Sequence, residues 1–227
     1  MRLTRLHSLA TLLNIIGFTM VYYLVPRHQK RFINEDRFLE NLTAVLFICV
    51  FALGLFFLAR LRDKGKRRAY SAIPLAGLLC FLDEISYGER LFHIKRLPGL
   101  RGIKIDGLHD LVYIGFMAIK EDATLTFYAF LSLLLALGLF LVLRHGHGLA
   151  DRVKRLLGDY PPLRFLWRAI CFLFLALLLD LDIMQTRFLS FAEELTEMNV
   201  ALALLFGAFA MGYEEWKATG LAAQPDS

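Results

Sequence analysis

Cysteine is scarce in this sequence, with Cys49, Cys80 and Cys171 the only three. An odd number, widely spaced and each inside an apolar block, argues against a disulfide framework and matches no metal-binding spacing. They read as small packing residues. Catalytic signatures are missing too. There is no His-x-x-x-His, no Gly-x-Ser-x-Gly and no Asp-rich prenyl-diphosphate motif. Nucleotide, haem and iron–sulfur motifs are also absent, so the sequence names no cofactor. No small-x-small cleavage site follows the first apolar stretch, where Tyr22, Tyr23 and Pro26 stand instead. That stretch therefore reads as a retained helix with an aromatic belt, not a signal peptide. No internal repeat is visible, which weighs against an inverted-repeat transporter.

What is abundant is apolar. Hydrophobic residues make up 57% of 227, with 20 Phe, and the mean hydropathy is +0.53. That exceeds an ordinary soluble domain. The apolar residues come in blocks of about 20, the length that crosses roughly 30 Å of hydrocarbon as a helix. Unbroken runs such as Leu131–Leu143 lack the alternation of a barrel strand. The fold class expected is all-α, a polytopic transmembrane helical bundle forming a single domain over 1–227. Six spans are predicted, near 8–25, 41–59, 69–91, 123–143, 165–186 and 191–216. A basic–apolar stretch, Leu149–Leu157, resembles an interfacial helix.

The net charge of +5 sits between the apolar blocks, so nucleic acid is not an expected partner. The lipid bilayer is. Six of the nine residues Arg60–Arg68 are basic, which suits a loop against anionic lipid headgroups. With six spans, alternate segments beginning at the N-terminus hold the larger share of the Lys and Arg between the apolar blocks. The bias places both termini in the cytoplasm. Short loops and no glycan-rich ectodomain point to a bacterial inner membrane.

Ionisable groups at bilayer depth cost several kcal/mol unless paired or hydrated, so those bordering apolar blocks are the candidate site. After Leu82 comes Asp83-Glu84-Ile85-Ser86-Tyr87-Gly88-Glu89-Arg90. On a helix Asp83, Ser86, Tyr87 and Arg90 form one stripe. Either this helix carries charges into the membrane or it is short or re-entrant. His109-Asp110 could add a general base, a metal ligand or a proton relay, or merely an interfacial turn. Asp180 and Asp182 point in different directions on a helix and do not make a chelating pair. Glu193 and Glu194 fit a capping box begun by Ser190, with acids suited to a helix N-terminus. Glu197 lies a turn deeper and is not explained that way. In a six-span topology the acids of the third, fifth and sixth helices share one side of the membrane, opposite Arg60–Arg68.

The run Asp83-Glu84-Ile85-Ser86-Tyr87-Gly88-Glu89-Arg90-Leu91-Phe92 resembles a motif of poorly characterised bacterial multi-pass membrane proteins, Glu-Glu-Ile-Ser-Trp-Gly-Gln-Arg-Ile-Phe. In that family an Asn-Leu-His-Asn element follows, where this chain has Gly107-Leu108-His109-Asp110. The Glu193-Glu194…Glu197 run resembles the acidic start of the family's last helix. Tyr87, Glu89 and Asp110 depart from the pattern, two of them adding a carboxylate. The resemblance implies one site built from Glu84, Ser86, Arg90, His109 and Glu197, and brings no reaction with it.

Three function classes follow. A membrane-embedded enzyme on a lipid-like substrate would use Glu84, Ser86 and His109 catalytically. A small ion- or proton-coupled transporter or channel subunit would bind its cargo through Asp83, Tyr87, Glu89, Arg90, Asp110, Glu194 and Glu197, and with only six helices would be expected to oligomerise. An accessory or assembly subunit would use the same cluster to hold a membrane-complex partner. The metal, if any, is not specified by the sequence.

Overall fold

The computed structural model describes residues 2–24, 38–85, 99–100, 103–104, 151, 153–180 and 187–222. They belong to two compact units, 1–85 with 160–227, and 86–159. In the second unit β1 (Gly99–Leu100) pairs antiparallel with β2 (Ile103–Lys104), Gly99 opposite Lys104. Residues 153–159 are helical, overlapping the expected interfacial helix. The predicted fourth span lies outside the described residues.

The described residues of the first unit are mostly helical. Its elements are α1 (Arg2–Leu24), α2 (Phe38–Arg60), α3 (Lys64–Tyr70), α4 (Ala72–Glu84), α5 (Leu163–Asp180) and α6 (Arg187–Ala222). Three stretches, Leu3–Leu24, Phe38–Arg60 and Phe188–Lys217, are long and apolar enough to cross a membrane. The 13 residues of α4 rise only about 20 Å. The 18 residues of α5 include Arg164, Arg168 and Asp180. Leu6, Leu9, Leu12, Leu13 and Ile16 of α1 and Trp167, Phe174 and Leu178 of α5 are exposed, as lipid-facing side chains would be.

Two local readings need correction. The basic stretch expected to be a loop contains α3. Asp63 caps it, its Oδ1 accepting from the Gly65 and Lys66 backbone N–H at 2.7 and 3.2 Å, which satisfies two donors a helix start leaves open. The third predicted helix does not run unbroken from 69 to 91. The chain breaks at Ser71, and α4 then carries Pro74 in its first turn. Proline is accommodated there because its missing N–H would have no intrahelical partner. The helix ends at Glu84, with Ile85 in a turn.

The long helix α6 is the centre of this unit. Ala201, Ala203, Leu204, Ala208 and Met211 are buried along it, and alanines let neighbouring backbones approach closely. Against α1 it keeps one antiparallel register. His7 meets Phe206, Asn14 meets Asn199, and Tyr22 stacks on Phe191 with ring centroids 4.5 Å apart. Against α3 and α4 it is again antiparallel, Tyr70 of α3 and Ile73 of α4 facing Glu214 and Gly207 while Glu84 faces Glu194 and Glu197. α2 runs parallel to it, with Leu39 in a buried cluster beside Phe191, Leu195 and Met198 and Phe57 against Gly212. Phe165 of α5 stacks on Phe206. Only six residues separate Asp180 from Arg187, and they reach no more than about 25 Å fully extended. So α5 must run antiparallel to α6 as well.

Glycines set the spacing of α2 and α4. A Cβ on Gly77 would lie 2.8 Å from Val50 Cγ1 and 3.1 Å from the Phe51 backbone nitrogen. One on Gly54 would lie 2.9 Å from Pro74 Cβ. Cys49 and Cys171 are exposed and Cys80 half-buried, all three as free thiols.

Candidate functional site

Three carboxylates from two helices converge. Glu84 is the last residue of α4, and Glu194 and Glu197 lie one turn apart on α6. One oxygen from each lies within 4.8 Å of the others, and all three side chains are half-buried. The charges of Asp83 and Glu193 also act on Glu197. Cys80, one turn back on α4, lies in the field of Asp83, Glu84 and Glu197.

The surroundings set the electrostatics. Tyr22, Tyr23 and Phe188 gather near the end of α1 and the start of α6. From Phe191, which stacks on Tyr22, Glu194 and Glu197 are about 4 and 9 Å further along the helix. The site is therefore one to two turns inside the aromatic end of the bundle. At 4.8 Å two unit charges repel by about 3.5 kcal/mol at an effective dielectric of about 20. Glu84 adds a second unfavourable element, because the C-terminus of α4 presents the negative end of the helix dipole.

Helix capping does not account for the α6 acids. The helix begins at Arg187, and its first turn holds no acidic residue. Ser190 is already helical, so the Ser190–Glu193 capping box expected from the sequence is not formed. The boundary moved because the apolar periodicity does not stop at Phe191. Phe188 and Leu189 precede it, and Phe188 packs against Tyr22 and Phe191.

Of the residues singled out in the sequence, Glu84, Glu194 and Glu197 come together, with Asp83 and Glu193 beside them. Ser86, Tyr87, Glu89, Arg90, His109 and Asp110 lie outside the described residues, as does Asp182. Asp180 ends α5.

Three polar contacts were not anticipated. Asn14 Nδ2 donates to Asn199 Oδ1 at 3.0 Å, while Asn199 Nδ2 donates to the Leu195 carbonyl at 2.8 Å. Near the other end of α1, Arg168 Nη1 donates to His7 Nδ1 at 2.8 Å. Tyr70 Oη donates to Glu214 Oε2 at 2.7 Å, and Lys66 Nζ reaches the same oxygen at 3.3 Å. A signal for the first two was present. Thr4, His7, Thr11 and Asn14 recur at three- and four-residue spacing, a polar stripe on one face of an otherwise apolar helix.

In comparisons with protein-family models, curated proteins and solved structures, nothing matches this chain.

Proposed function

We propose that this chain is a six-span membrane protein that binds a cation at Glu84, Glu194 and Glu197 as part of an ion- or proton-coupled activity. One observation carries the reading. Three carboxylates lie within 4.8 Å of one another, one of them at a helix C-terminus, inside an apolar bundle. Such a group lowers its energy by taking up protons or a metal ion. An all-carboxylate donor set favours a hard ion such as Mg²⁺, Ca²⁺ or Mn²⁺.

Chain direction supports six spans. α4 and α5 both run antiparallel to α6, so the chain leaves this unit at one end of α6 and re-enters it towards the other. That direction fits an odd number of crossings between them. The apolar run Leu131–Leu143, within the stretch 123–143, supplies one. The antiparallel register of α1 on α6 puts the start of the first and the end of the last on one side. The Lys and Arg bias makes that side cytoplasmic, in a bacterial inner membrane. The resemblance to bacterial multi-pass proteins fits this reading, since Glu84 and Glu197 belong to the site it implies and Arg90 would supply a counter-charge. The lipid-enzyme alternative leans on Ser86 and His109, for which no geometry is described.

The test is direct binding of Mn²⁺ to the purified protein in lipid nanodiscs, read by the loss of the free-ion electron paramagnetic resonance signal. Wild type should bind the ion, and Glu84→Gln and Glu197→Gln should each weaken binding at least about tenfold. If wild type binds no Mn²⁺, Mg²⁺ or Ca²⁺ and takes up no proton on titration that the variants lack, the reading is wrong.

A further inference from the structure

Arg168 sits one turn inside the start of α5 and reaches across to the start of α1. Its Nη1 donates to the Thr4 carbonyl at 3.4 Å, to His7 Nδ1 at 2.8 Å and to Ser8 Oγ at 3.4 Å. The guanidinium also lies 5.9 Å from the centroid of the Phe165 ring. Every one of these partners is neutral. Among the described residues no carboxylate pairs with Arg168, and its Nε and Nη2 donors have no acceptor. An arginine carries five donors and a permanent charge, so among the described residues most of the bonding capacity of this half-buried side chain is unmatched.

The neighbours repeat the sign. Arg164 is one turn earlier on the same face of α5, and Arg5 is three residues before Ser8 on the same face of α1. Both are exposed. His7 adds a fixed hydrogen-bond polarity. It is 2% exposed, and its Nδ1 accepts from Arg168. The ring is therefore neutral with its proton on Nε2, and Nε2 has no partner. The histidine orients the guanidinium without cancelling its charge. The result is a cationic notch at the seam of α1 and α5, within about two turns of both helix starts, where headgroups of the surrounding leaflet lie.

We infer that this notch, formed by Arg168, Ser8, Arg164 and Arg5, binds a phosphate group, carried by an anionic membrane phospholipid. Phosphate oxygens fit the forked donors of arginine. Basic pockets between membrane helices on the cytoplasmic side are suited to such headgroups. The site is separate from the three carboxylates, which lie towards the start of α6.

The experiment is native mass spectrometry of the full chain released from nanodiscs of mixed phosphatidylglycerol and phosphatidylcholine. Wild type should retain phosphatidylglycerol over phosphatidylcholine. Arg168→Gln should cut that preference about tenfold, and the double variant Arg5→Gln, Arg164→Gln about fivefold. The double variant leaves the Arg168–His7 contact in place, so it decides the matter if Arg168→Gln does not fold. Excess inorganic phosphate forms a second arm. Displacement of the lipid would mean the notch reads the phosphate alone. Loss of lipid only through the arginine substitutions would mean the acyl chains hold the phosphate there. Equal retention of both lipids by wild type, or an unchanged preference in the double variant, overturns the proposal.

Discussion

Replacing Glu197 by Gln should change the stability of this protein in opposite directions with and without metal. If all three carboxylates were ionised, the oxygens within 4.8 Å would contribute three repulsive pairs of about 3.5 kcal/mol each at an effective dielectric of about 20. Glu197 takes part in two of them. A glutamine keeps the shape while removing that charge and turning one acceptor oxygen into an N–H donor. In chelator at neutral or mildly alkaline pH the variant should therefore unfold at a higher temperature than wild type. With Mg²⁺, Ca²⁺ or Mn²⁺ at about a hundred times its dissociation constant, wild type gains about 2.7 kcal/mol by mass action. For a chain of this length each kcal/mol is worth about 2–4 °C, so the shift should be about 5–10 °C. The variant should gain much less. Acid should erase the metal shift, because protons compete for the same oxygens. Thermal unfolding in detergent, followed by intrinsic fluorescence, reads all of this. A wild type indifferent to divalent ions, together with a variant less stable than wild type in chelator, would refute the argument, since it would make Glu197 a satisfied structural residue.

Other substitutions probe the bundle. Asn14→Leu should destabilise by about 0.5–2 kcal/mol, the range for hydrogen bonds between membrane helices, and Asn199→Leu should cost more because Asn199 also donates to the Leu195 carbonyl; reversible unfolding in mixed micelles gives both values. Gly77→Leu should cost at least about 1–3 kcal/mol, because its Cβ alone would lie 3.1 Å from the Phe51 backbone nitrogen. The same assay on Gly158→Leu, where nothing lies within 4 Å, serves as the control. Tyr70→Phe leaves the Glu214 carboxylate short of one donor and should cost about 1–3 kcal/mol. Combining it with Lys66→Met should cost more than either change alone if both serve that oxygen.

The apolar blocks were the most legible part of the chain, because the requirement that lipid imposes on the backbone leaves little choice of structure. Helix ends were less so. Arg2 and Arg5 read as lying before the first span, yet the helix takes them in, since charged side chains at a helix end reach water while the backbone stays bonded. The break at Ser71 followed from Pro74, which the sequence displayed but whose place in the first turn of a new helix depended on where α3 ended. The meeting of Glu84 with Glu194 and Glu197 was suggested by the common side of their helices. The Arg168–His7 contact was only half legible, because His7 stands in the polar stripe of α1 while nothing in the sequence pairs that stripe with Arg168. Only the antiparallel seating of α1 and α5 on α6 brings them together.

The central place of α6 has a consequence for how the molecule is made. Ribosomes deliver helices in chain order, so α1 to α5 are made before the element that buries their inner faces. Until α6 arrives, Asn14 has no Asn199, Tyr70 has no Glu214, and Glu84 faces no second carboxylate. α2 and α4 can pack on each other early through Gly54 and Gly77, but assembly of the unit is completed late, and a nascent chain halted before Arg187 would leave its polar seams unmatched and open to quality-control proteases.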